Sequence, residues 1–87
     1  MLEQVILGLL RDRKRTATIC PSEAARVVRP DDWETLMERA RRAARRLVER
    51  GLIEITQNGR AIDASKARGP IRLRARHGAG FDEQSKR

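Results

Sequence analysis

Eighty-seven residues with a formal net charge of +8 and an isoelectric point near 11.4 make one small basic domain, too short for a catalytic cleft plus a regulatory unit. The positive surface potential favours acidic partners such as nucleic acid, while 2% aromatic content with no tyrosine leaves no stacking platform for single strands. The lone Cys20 excludes an intrachain disulfide framework, and Cys20 with His77, the only histidine, supplies too few ligands for structural zinc, so neither metal nor cofactor is expected.

The first helix is marked by Leu2, Val5, Ile6, Leu9 and Leu10, which recur on one helical face and end at the charged RDRKR of residues 11–15. Bases in a last turn complement the helix dipole, so Arg11, Arg13, Lys14 and Arg15 have a structural reason to be there. Leu7 falls well off that face, where an exposed leucine would be either an ordinary surface residue or a dimer contact. The apolar run at residues 5–10 is far too short to span a bilayer and lacks the flanks of a signal peptide. No membrane association is expected, and a soluble cytoplasmic protein is.

Residues 16–19 are β-branched and bounded by charge and proline, which predicts a brief strand. A second helix should open at Pro21, whose missing N–H suits the first helical position, with Cys20 and Glu23 at capping-box spacing. Cys20 then reads as a small core residue that also caps a helix, and Ala24, Ala25, Val27 and Val28 supply the apolar face. Arg29-Pro30 ends it, and Asp31 with Glu34 repeats the capping-box spacing to open a long helix over residues 32–51. That helix turns Trp33, Leu36, Met37, Ala40, Ala43, Ala44, Leu47 and Val48 to the core, with Trp33 as an anchor. It also holds six of the twenty basic residues, of which Arg39, Arg42, Arg46 and Arg50 form a stripe beside a separate strip of Glu34, Glu38 and Glu49.

After Gly51 the period changes from near 3.6 to 2. Ile53, Ile55, the pair Asn58-Gly59 and Ile62 predict a β-hairpin with a type I′ turn, Ile55 facing Ile62. The same register sets Glu54 opposite Asp63, a like-charge pair that Arg72 and Arg74 would relieve if their stretch packs beside the hairpin. From His77 onward glycines and charge predict a flexible tail, which gives a domain over residues 1–76 and a tail over 77–87.

The fold class that follows is α+β, mainly α. Helix, short strand, helix, turn, helix, hairpin is the order of a winged helix-turn-helix with three helices and a small antiparallel β-hairpin wing. The strings TICPSEAAR, WETLM, RRAARRL, IEITQNGR and ARGPIRLR also resemble a bacterial winged-helix family classed as domain of unknown function 3253, over about residues 16–74. The resemblance implies the fold; it brings no assigned ligand, reaction or catalytic residue.

Function is read from the bases. In a winged helix on duplex DNA the third helix enters the major groove, where Thr35, Arg39, Arg42 and Arg46 would meet base edges and phosphates. Arg60 at the wing tip and Lys66 beyond it would reach phosphate, with Arg68, Arg72, Arg74 and Arg76 behind them, although Arg72 and Arg74 also have Glu54 and Asp63 to neutralise. The acidic start of the helix, Asp31, Asp32, Glu34 and Glu38, opposes phosphate there and fits a salt-bridged solvated face equally well. The alternative is a protein-interaction module that docks its basic face or its Leu7 side on a larger complex. No acid–base pair, phosphate loop or metal cluster points to an enzyme. A lone module of this size would bind DNA weakly unless it forms a homodimer.

Overall fold

The computed structural model describes residues 1–13, 17–67 and 69–76. The expected tail over residues 77–87 and the bases Lys14, Arg15 and Arg68 lie outside these residues. Among the described residues the fold is α+β and mainly helical, with three α-helices against a four-stranded antiparallel sheet. Among the described residues no helix is long and apolar enough to cross a membrane.

Helix α1 spans Leu2–Arg11 and buries Ile6 and Leu10. Leu7 is half-buried and packs against the core, contrary to its expected exposure. The reason is that α1 is flanked by both other helices and by the sheet, so its covered face is wider than the stripe its spacing suggests. Strand β1, Thr18–Ile19, leads into helix α2, Pro21–Val28. Here the expected cap forms: Cys20 adopts an extended conformation before Pro21, and its N–H donates to the Glu23 carboxylate at 2.9 Å.

The long helix expected over residues 32–51 is divided. Trp33–Leu36 forms a 3₁₀ turn, and α3 proper runs from Met37 to Glu49. The Asp31 and Glu34 capping box is not made. Instead the Asp32 carbonyl accepts from the Thr35 N–H at 3.1 Å and from the Thr35 hydroxyl at 2.8 Å, and these i to i+3 bonds tighten the first turn. The Asp32 carboxylate receives Arg29 at 3.1 Å. Trp33 is half-buried outside the central core, with the Arg26 guanidinium stacked 4.4 Å from its ring centroid, so it is a flanking contact rather than the expected anchor.

Helix α3 buries Ala40, Ala43, Ala44 and Leu47. It stops at Gly51, whose φ of +77° sets up paired closing bonds from Gly51 N–H to the Val48 carbonyl and from Leu52 N–H to the Leu47 carbonyl. Strands β2, Ile53–Gln57, and β3, Arg60–Ile62, meet through Asn58 and Gly59, both at positive φ, in the expected register with Ile55 opposite Ile62.

The sheet goes beyond the expected hairpin, because strand β4, Arg72–Ala75, pairs with both β1 and β2 to give the order β1-β4-β2-β3. The expected opposition of Glu54 and Asp63 is absent. Asp63 leaves the ladder to cap a 3₁₀ turn, Ala64–Lys66, accepting from the Ser65 N–H at 2.9 Å. Glu54 lies opposite Arg74 and pairs with its guanidinium. Arg72 does not reach Asp63; it crosses to β1 and donates to the Thr18 hydroxyl at 2.8 Å and to Cys20 Sγ at 2.7 Å. That leaves Cys20 half-buried at the sheet edge rather than in the core. The core gathers Ile6, Leu10, Ile19, Leu47, Ile53, Ile55 and Leu73, with alanines wherever α2 and α3 approach.

Candidate nucleic-acid interface

With Ala40, Ala43, Ala44 and Leu47 turned inward, the six arginines of residues 32–51 split onto two flanks of α3. Arg39, Arg42, Arg46 and Arg50 stand on the side of α1. Arg41 and Arg45 stand on the side of the 3₁₀ turn after β3. The stripe expected from sequence is the first flank, and most of it is committed to carboxylates. Arg42 pairs with Glu38 at 2.9 Å, while Arg46 and Arg50 share Glu3 at 2.7 and 3.2 Å. Arg39 has no carboxylate partner among the described residues and lines a cleft with Arg42 and Arg46. Thr35, whose hydroxyl donates to the Asp32 carbonyl, is occupied in shaping the preceding turn.

The second flank faces the hairpin. Arg41 and Arg45 line a small cavity of about 50 Å³ whose other walls are Ile55, Ala64, Ala67, Gly69 and Ile71. Arg45 also borders a shallower depression with Val48, Glu49, Ile62 and Asp63. The Gln57 amide donates to the Pro70 carbonyl at 2.9 Å, which ties the hairpin to residues 69–71. Neither Arg41 nor Arg45 has a carboxylate partner among the described residues, and neither does Arg60, exposed beside the hairpin turn. Lys66 is exposed at the end of its 3₁₀ turn and helps hold the Asp63 carboxyl low. The structure thus separates the expected residues: Arg39, Arg42 and Arg46 lie on the α1 side, Arg60 and Lys66 on the hairpin side.

A match to a family model covers residues 1–76 and is described as "Protein of unknown function (DUF3253)". The chain belongs to the DUF3253 family. No curated protein matches it. In this DUF3253 chain Arg41 and Arg45 did not stand out from sequence, yet a signal for Arg41 exists. Arg42 has Glu38 four residues before it, the favourable orientation for an i,i+4 pair. Arg41 instead has Met37 before it and Arg45 after it, so no helical neighbour at that spacing neutralises it.

Three carboxylates are held below their ordinary range. For Glu3 the main cause is the Arg46 hydrogen bond, helped by Arg50. For Glu23 burial pushes upward, but the hydrogen bonds from Arg13 and the Cys20 N–H, with the charges of Arg13 and Arg72, outweigh it. Asp63 is held low by the backbone and hydroxyl of Ser65. Each ionises more readily folded than unfolded, so each favours the folded state while charged. That contribution is complete above the ordinary value, 4.5 for glutamate, and is lost as pH falls through the lowered folded values. Urea midpoints should therefore agree near pH 7 and ~5 and drop near pH ~3, and a Glu3→Gln/Glu23→Gln variant should drop less. A wild-type midpoint that rises on acidification would contradict these ion pairs.

Proposed function

We propose that this chain is a winged-helix protein that binds duplex DNA, with α3 entering the major groove and the β2–β3 hairpin as the wing. The observation that carries this reading is that Arg41, Arg45 and Arg60 lack carboxylate partners among the described residues and stand on the side that α3 shares with the hairpin. Three helices followed by a hairpin, and a net charge of +8, support it. The acidic start of the segment and the 3₁₀ turn there direct contact to the later turns of α3, so Arg41, Arg45, Arg60 and Lys66 are the leading phosphate contacts. Arg42 remains available, because an exposed i,i+4 ion pair is worth only about 0.3–0.5 kcal/mol and exchanges readily for phosphate. No catalytic step and no cofactor belong to this reading.

Titration of a random-sequence duplex at several salt concentrations tests it. Four phosphate contacts predict that log affinity falls against log salt with a slope of about −3 to −4, and Arg60→Glu/Lys66→Glu should flatten it by about 2. Absence of binding even at about 20 mM salt would end the DNA reading.

A further inference from the structure

The α1 side of the molecule carries a feature that the leading phosphate contacts, Arg41, Arg45, Arg60 and Lys66, do not use. Leu2, Val28 and Leu36, with the exposed Met1, form the apolar part of the lining of a cleft of about 360 Å³, and Arg39, Arg42 and Arg46 form the basic part. The large apolar side chains that stay most exposed among the described residues are Met1, at 82%, and Val27, at 57%. Met1 lines this cleft and Val27 is next to Val28 on α2. Charge on the basic part is unbalanced: among the described residues Arg42 pairs with Glu38 and Arg46 shares Glu3 with Arg50, while Arg39 has no carboxylate partner.

We infer that this cleft docks an amphipathic helix of a partner protein, with apolar side chains on one face and carboxylates along its flanks. Helix-in-groove recognition needs an apolar trough for anchors at i, i+3 or i+4 and i+7, and a rim of opposite charge to fix orientation. Both are present. A phosphate backbone offers nothing apolar to cover the apolar lining, and a second copy of this face would set arginine against arginine. An acidic helix answers both demands, pairing with Arg39 and taking Arg42 from its exposed partner Glu38 at little cost. The site is separate from the hairpin-side arginines, so it stands whether or not duplex DNA is bound there.

The test uses the whole chain with labelled methyl groups and, as probe, a synthetic amphipathic helix of leucine and glutamate about four turns long. The expected result is saturable shifts of the Leu2, Val28 and Leu36 methyls, with affinity at least ~10-fold weaker in Arg39→Glu/Arg42→Glu, whose substitutions are exposed and leave the core untouched. Arg60→Glu should bind the probe as the wild type does. A peptide with lysine in place of glutamate should not move these methyls. The inference fails if the three methyls do not respond to the acidic probe, if the lysine peptide binds equally, or if the shifts centre on Arg60 and Lys66. It also fails if duplex DNA displaces the peptide from the cleft, whereas absence of DNA binding would count against the DNA proposal alone.

Discussion

Arg41→Glu/Arg45→Glu should weaken binding to a random duplex roughly 100-fold at about 50 mM salt, while Arg39→Glu/Arg42→Glu weakens it less than about tenfold. Each lost phosphate contact removes about 0.9 from the salt slope, which at this salt is worth a little over a factor of ten. Both double variants change net charge equally, so any long-range steering effect is shared and the difference reports position. Among the described residues Arg41 and Arg45 have no ion pair to give up, whereas Arg42 would first leave Glu38. Arg46 is a poorer choice for the comparison, because reversal there would face Glu3 and strain the α1–α3 contact. Equal losses from the two variants would mean that α3 is approached from its solvent ridge rather than from the hairpin side. Both substitutions are exposed, so far-ultraviolet circular dichroism should show unchanged helix content.

Leu47→Ala should lower stability by about 2–5 kcal/mol, out of the roughly 5–15 typical of a whole domain. Leu47 is fully buried, and the other buried positions of α3 are Ala40, Ala43 and Ala44. It is therefore the one large side chain of α3 that is fully buried, Val48 being packed against the core only in part. The alanine face lets neighbouring elements pack closely but leaves little side-chain volume that could relax into a new cavity, which places the expected loss in the upper half of that range. Urea unfolding should show a lower midpoint with an unchanged slope. A loss below about 1 kcal/mol would show that α3 is anchored elsewhere, with Leu36 and Met37 the next residues to examine.

Local chemistry made much of the fold legible. Pro21 with Cys20 and Glu23, Gly51 at a positive φ, and Asn58-Gly59 each fix a boundary through bonds within a few residues, and each appears where its spacing places it. The divided long helix was hidden because periodicity cannot distinguish a 3₁₀ start from an α start over a single turn; Thr35 bonding back to Asp32 decides it. The pairing of β4 with β1 was hidden because it joins Thr18 to Arg74 across most of the chain, and no local pattern encodes such a partner. The same distance explains the candidate site. That Glu3 would claim Arg46 and Arg50 depends on how α1 lies against α3, so the stripe looked more available than it is. Arg41 and Arg45 stand out only once the hairpin side is known.

The position of β4 has a consequence for the birth of the protein on the ribosome. Among the described residues strand β1 pairs with β4 alone, and β4 is the last element of the sheet to be synthesised. At about 5–20 residues per second, Ile19 waits roughly 3–10 s before Leu73 can cover it, far longer than a small helical segment needs to collapse. In the last part of that interval, once β2 has been made, the two edges that β4 will join stand unpaired on either side of an empty slot. A chain stalled or cut within residues 72–75 would lose the centre of its sheet rather than its margin, exposing strand edges to neighbouring nascent chains.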